Sequence, residues 1–316
     1  MSAAFEGWTA WRPLALAEPF SPGDFTETID GGQAFRWTHQ SDGSWLGLWS
    51  TYAARLKLES TGHLQWSAPR SLAEAVPAAL KHYLDAGTTA AARVDRLPWR
   101  SDPHLEQCIA AFPGLRILNQ ELGETLLGFL CSATKQIVQI KQMLALVAER
   151  HGTSVAQESP ELRRLPTWAE LATVSESDLR RCLLGFRAGY VHRTARFLAE
   201  HPGWLEETGA SPYAEAKARL CLLPGVGEKV ADCVLLFGAN KPEAFPVDVW
   251  ILKALANRYG LTDWSPKQLT QFGRAHFGPQ AGLAQQYLFA WERKVGRPKP
   301  TSLAGSAPPR SPRARR

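Results

Sequence analysis

Between Ala34 and Trp66 apolar and polar positions alternate with a period near two. AFRWTH and SWLGLW flank Asp42-Gly43, and RLKLES and HLQWSA flank Thr61-Gly62. Alternating segments joined across a short turn containing glycine are hairpins. This stretch therefore predicts a small antiparallel sheet rich in tryptophan. After Ser71 the apolar spacing lengthens to the helical period and stays there. SLAEAVPAALKHYLDAG, DPHLEQCIAAFPG, WAELATV, ESDLRRCLLG, YVHRTARFLAEHPG, SPYAEAKARLCLL, VWILKALANRYG, SPKQLTQFGRAHFG and AGLAQQYLFAWERKVG all read as helices. ETLLGFLCSATKQIVQIKQMLALVAERHG is one long helix, or two with a break near Ser132–Lys135. No internal repeat is present. The expected class is α+β, a small N-terminal antiparallel lobe packed on a mostly α-helical body. The expected divisions are an N-terminal extension (1–13), the β lobe with flanking helices (14–115), the helical body (116–296) and a tail (297–316).

A chain of 316 residues, 45% hydrophobic, has room for two or three lobes and a sizeable core. The first twenty residues lack a basic segment followed by an apolar one, so no secretory signal is expected. No apolar run approaches the roughly 18 residues of a membrane span. The five cysteines are scattered without a CxxC pair. That spacing predicts buried thiols in a reducing compartment, and neither a metal site nor an iron–sulfur cluster. The net charge of +6 is carried by the tail, RPKPTSLAGSAPPRSPRARR, which holds five Arg, one Lys and no acid. The remaining thirty basic residues are matched by thirty acids. A disordered basic tail raises nonspecific affinity for DNA in a salt-dependent way.

The segment LPGVGEKVADC, Leu223 to Cys233, places two glycines and a proline before an almost wholly apolar helix. With AKARLCL upstream it predicts two helices joined by a Gly-rich turn. Gly225 and Gly227 are expected to supply positive φ and close backbone approach. The first amides of the second helix form an anion site suited to a phosphate. Lys229 stands at the mouth of that helix. Burial and the positive helix end both disfavour its cation, and a neutral lysine is a nucleophile that forms Schiff bases. Further on, FPVDVWILKAL puts Asp248 at the start of another buried helix. Taken alone, Asp248 is a helix cap and Lys229 a phosphate-binding or snorkelling lysine. Taken together they suit attack at the anomeric carbon of a nucleotide, with capping amides keeping the carboxylate ionised beside developing positive charge.

LPGVGEKVADC followed by FPVDVW resembles the 8-oxoguanine DNA glycosylase branch of the helix-hairpin-helix DNA glycosylases. The resemblance runs from roughly Leu14 to Arg293. It implies that Lys229 is the nucleophile and Asp248 the catalytic carboxylate. Gly32, in GGQAFRW, would offer its carbonyl to the N7 hydrogen that 8-oxoguanine has and guanine lacks. Cys233 and Phe289 would stack on the two faces of the flipped base, and Gln285 would meet its Watson–Crick edge. Phe186 would be the aromatic wedge and Arg187 the arginine that follows it. Departures fall in CSATKQIVQ, where Thr134 replaces an asparagine and Gln139 an arginine that contact the cytosine opposite, and at Trp250, where animal members have histidine.

The resulting expectation is a monomeric bifunctional glycosylase and abasic-site lyase. Its partner would be double-stranded DNA containing 8-oxoguanine or abasic sites, with no cofactor, metal or membrane. It would work in the bacterial cytoplasm at the nucleoid, or in a eukaryotic nucleus. The alternatives are an alkylated-base glycosylase of the same fold, which needs no lysine, and a noncatalytic hairpin module, which needs no pocket.

Overall fold

Residues 7–296 are described by the structure, a computed structural model. The basic tail and the first six residues lie outside the described residues. Strand β1 (Arg12–Leu14) leads to helix α1 (Pro22–Asp30), capped by the Ser21 hydroxyl accepting from the Asp24 amide. Strands β2 (Trp37–His39), β3 (Trp45–Trp49), β4 (Tyr52–Leu58) and β5 (Leu64–Ser67) follow. The sheet is antiparallel, in the order β1-β5-β4-β3-β2. Both expected hairpins are present. Strand β1, only three residues long, carries no readable alternation and joins the sheet through β5. The β3–β4 turn at Ser50-Thr51 contains no glycine. Ser50 takes φ +49° there and donates its amide to Glu124 Oε2 at 2.7 Å.

Helices α2 (Val76–Tyr83), α3 (Ala90–Val94) and α4 (Pro103–Ala111) connect the sheet to the helical body. Val76, Leu80 and Tyr83 enter the core of the sheet with Trp37, whose indole donates to the Tyr83 hydroxyl at 3.1 Å. Leu105 and Cys108 of α4 instead share a core with residues near the C-terminus, among them Leu255, Phe277 and Tyr287.

The helical body begins with α5 (Leu122–Leu130) and α6 (Ile137–His151), two helices separated at the expected break. Thr134 takes φ +54° in the break. Gln136 and Gln139 then form a reciprocal capping box that starts α6. Next come α7 (Trp168–Ala172), α8 (Glu176–Leu179), a π-type turn, α9 (Arg187–Glu200) and α10 (Trp204–Ala210). The hairpin is made by α11 (Tyr213–Leu220) and α12 (Glu228–Gly238), and α13 (Val249–Tyr259), α14 (Pro266–Phe277) and α15 (Ala281–Gly296) complete the chain. Every residue of α12 from Val230 to Phe237 is buried, as an all-round apolar helix requires. Its one carboxylate in that run, Asp232, is matched from α11 by Lys217 Nζ at 2.9 Å and the Tyr213 hydroxyl at 2.6 Å. No helix among the described residues is long and apolar enough to cross a membrane.

Candidate active site

The hairpin turn sets where Lys229 stands. Gly225 has φ +81°, and a Cβ there would lie 2.4 Å from Tyr190 Cδ2, so the turn closes directly over that ring. Gly227 differs from expectation: its φ of −94° is an ordinary N-cap conformation. A Cβ on Gly227 would meet nothing within 4 Å, so neither backbone conformation nor packing demands glycine there, and the helix entrance is uncovered. Lys229, in the first turn of α12, places Nζ 5.2 Å from the centroid of the Phe129 ring. Phe129 in turn stacks on Phe237 at 5.6 Å. Phe129 comes from α5, some 100 residues earlier in the chain, and nothing in the local pattern marks it.

The Cys233 thiol lies one turn along α12 from Lys229. Burial pushes that thiol up to about 11, with Lys229 pulling the other way, so Cys233 is a neutral, apolar surface near pH 7. Asp248 caps α13, accepting from the amides of Trp250 at 3.0 Å and Ile251 at 2.9 Å. Its carboxyl nonetheless lies above the usual range. Burial is the largest influence, and the Ile251 amide, the Lys229 charge and the Trp250 amide only partly oppose it. The capping amides hold the carboxylate in place and favour its ionised form, while desolvation works against them. Lys229, Cys233 and Asp248 form one electrostatic group.

Gln285 and Phe289 lie one turn apart on α15. Gln285 is 3% exposed and donates from Nε2 to the Pro246 carbonyl at 3.1 Å, two residues before Asp248. Gln286 Nε2 donates to Gln285 Oε1 at 2.6 Å, which fixes the orientation of that amide. Gly32 has φ +109°, and a Cβ there would lie 3.1 Å from Ile137 Cδ1 and 3.8 Å from Phe289 Cε1. Gly32 and Phe289 are therefore neighbours across 257 residues of chain. The segment after Gly32 is pinned by Gln33, which donates to the Arg116 carbonyl at 2.7 Å and accepts from the Leu118 amide at 3.0 Å.

Phe186 is 53% exposed, the condition of a side chain available to a partner, and stands edge-on to Tyr190. The same Tyr190 ring underlies Gly225, so the loop and the hairpin share a support. Arg187 is only 2% exposed. It donates to the Ala133 carbonyl and, at 2.9 Å, to the Thr134 hydroxyl, and its guanidinium carbon lies 4.3 Å from the centroid of the Phe186 ring. Gln139 is exposed and holds the Gln136 amide at 3.1 Å as part of the α6 cap. Sequence reasoning missed Phe129, Ile137 and Tyr190, apolar side chains whose helical spacing marks only a core. No cluster of potential metal ligands occurs among the described residues.

Residues 16–126 match the family described as 8-oxoguanine DNA glycosylase, N-terminal domain. The chain is 34% identical over 205 residues to the N-glycosylase/DNA lyase OGG1 of Arabidopsis thaliana, covering 61% of this chain and 56% of that protein. It is 40% identical over 122 residues to a probable N-glycosylase/DNA lyase of Methanothermobacter thermautotrophicus, covering 39% of each. The matched stretches thus span about half or less of these relatives. The 8-oxoguanine glycosylase/lyase of Clostridium acetobutylicum, solved with double-stranded DNA containing cytosine opposite 8-oxoguanine, superposes with a TM-score of 0.80 at 28% identity, covering 92% of this chain and all of that one. That likeness runs through the N-terminal sheet and the helical body alike, so the chain shares the fold of this 8-oxoguanine glycosylase/lyase, and its N-terminal third matches the family's N-terminal domain.

Proposed function

We propose that this chain is a base-excision-repair enzyme that removes 8-oxoguanine from duplex DNA and then nicks the strand at the abasic site. The observation that carries the reading is the placement of Lys229. Its amine stands over the Phe129 ring, one turn from Cys233, and lies within the field of the Asp248 carboxylate at the entrance of α12. As a free amine, Lys229 attacks C1′ of the extruded nucleotide, and the base departs with the electrons of the glycosidic bond. Asp248 stabilises the positive charge that develops on the sugar in this step. Loss of a proton from nitrogen and opening of the ring give the imine. Removal of a C2′ proton then expels the 3′ phosphate oxygen, which breaks the strand.

The lesion pocket in this reading is bounded by Gly32, Cys233, Gln285 and Phe289, and Phe186 fills the space the base leaves. The uncovered N-terminus of α12 at Gly227 receives a backbone phosphate. An alkylated-base glycosylase has no use for Lys229, and a noncatalytic hairpin has none for a lesion pocket.

Borohydride reduction of the imine on 8-oxoguanine DNA tests this directly. The wild-type chain should form a covalent complex and Lys229→Gln should form none, while lesion binding persists. A trapped yield near wild type in the variant would place the nucleophile elsewhere.

A further inference from the structure

Arg293 lies one turn beyond Phe289 on α15 and touches both walls of the pocket. Its guanidinium carbon is 5.3 Å from the centroid of the Phe289 ring. Nη1 donates to Glu27 Oε1 at 2.8 Å and also to the carbonyl of Gly31, the residue before Gly32. The side chain is largely withdrawn from solvent, and so is that of Glu27. Gly31 ends α1, a helix with no basic residue in its own last turn, so the cation that meets its terminal carbonyl comes from a helix some 260 residues away. A Cβ on Gly31 would lie 2.1 Å from the Glu27 carbonyl oxygen and 2.6 Å from Glu27 Oε1, so glycine is required where both the helix end and the carboxylate come close.

We propose that Arg293 is a positioning residue for lesion recognition, holding the Gly31–Gly32 segment in register with the Phe289 ring. The proposal rests on the function proposed above. A guanidinium presents a planar fork of fixed geometry, so one group can hold a carboxylate and a carbonyl while stacking beside a ring. Gly32 has no side chain to hold it and sits at a φ open to few residues, so its carbonyl direction depends on its neighbours. Tying Gly31 to the helix that carries Gln285 and Phe289 makes the three reading groups one rigid unit.

A plain capping role for Arg293 at the end of α1 would act on stability and would affect every reaction of the enzyme alike. The positioning role acts on base excision and spares Lys229, whose hairpin it does not touch. The test compares single-turnover excision from a duplex with one 8-oxoguanine against cleavage of the same duplex bearing an abasic site, with Tm followed in parallel. Arg293→Met keeps the length and apolar contact of the stem and removes the donors. It should lower excision about tenfold or more while abasic cleavage stays within about twofold of wild type. Arg293→Lys should recover part of the loss, since an ammonium reaches the carbonyl but lacks the fork. Equal losses in both reactions, or excision by Arg293→Met at the wild-type rate, would overturn the proposal. Should Arg293→Met fail to fold, Arg293→Lys decides: a selective loss of excision supports the role and a parallel loss refutes it. A wild-type chain that leaves 8-oxoguanine intact would instead strike the proposed function itself.

Discussion

Arg187 Nη2 donates to the Thr134 hydroxyl at 2.9 Å, joining the loop ahead of α9 to the break between α5 and α6. In this state the arginine is turned inward, and Gln139 is committed to the cap of α6. Neither offers the paired, outward guanidinium groups that would grip the N3 and O2 acceptors of an unpaired cytosine. A bidentate contact contributes on the order of 1–3 kcal/mol of base discrimination, about 5- to 150-fold. Single-turnover excision of 8-oxoguanine opposite C, T, G and A should therefore show a weak cytosine preference. A preference above roughly 100-fold would mean that other residues read the opposite base.

The carboxyl of Asp248 sits above its usual range because burial outweighs its amide and lysine partners. In the proposed mechanism it must be ionised to support positive charge on the sugar. Excision is therefore lost as pH falls through this raised value, and the acid limb of the pH–rate profile should lie above the ordinary aspartate value of about 3.9. Asn caps helices as well as Asp does, so Asp248→Asn should keep Tm near wild type while slowing excision about 100-fold or more and flattening the acid limb. An acid limb that persists unchanged in the variant would assign that titration to another group.

Gly32→Ala places a methyl group 3.1 Å from Ile137 Cδ1 on a backbone at φ +109°. Such strain costs on the order of 1–3 kcal/mol and moves the carbonyl. Excision of 8-oxoguanine should fall much further than abasic-site cleavage, measured side by side. Equal losses would make Gly32 a structural glycine only.

Half-buried Glu124 on α5 accepts the Ser50 amide from the β3–β4 turn. Burial pushes its carboxyl up to about 7, against the opposing pull of Arg36 and that amide. The folded chain therefore binds a proton that the unfolded chain releases. The resulting stabilisation is fully present below the ordinary value of 4.5 and is lost as pH rises through about 7. Glu124→Gln keeps an acceptor for Ser50 and removes the titration. Chemical denaturation across this range should show wild type losing stability relative to the variant as pH rises. A pH-independent difference between the two would contradict the shift.

Local periodicity was enough to identify the two hairpins of the sheet, the buried α12 and the cap of α13, and it offered the break between α5 and α6 as one of two readings. Each depends on residues within a turn or a strand pair of one another. Lys229 and Cys233 were legible for the same reason, four residues apart on one helix face. So was the pairing of Gln285 with Phe289. Strand β1 was not, because three residues carry no period, and neither was the glycine-free turn at Ser50.

What only the tertiary structure decided is how distant segments constrain one another. The Phe129 ring beneath Lys229 comes from α5, and the tie on Gly31 comes from α15. The Asp248 cap was visible in FPVDVW, yet the direction of its titration follows from burial, which is set by everything packed around it. Gly227 looked in sequence like a second positive-φ glycine, but the path of the turn needed only one, at Gly225. Sequence order records which groups are available. Their desolvation and mutual distances are properties of the packed chain, because both depend on atoms hundreds of residues apart.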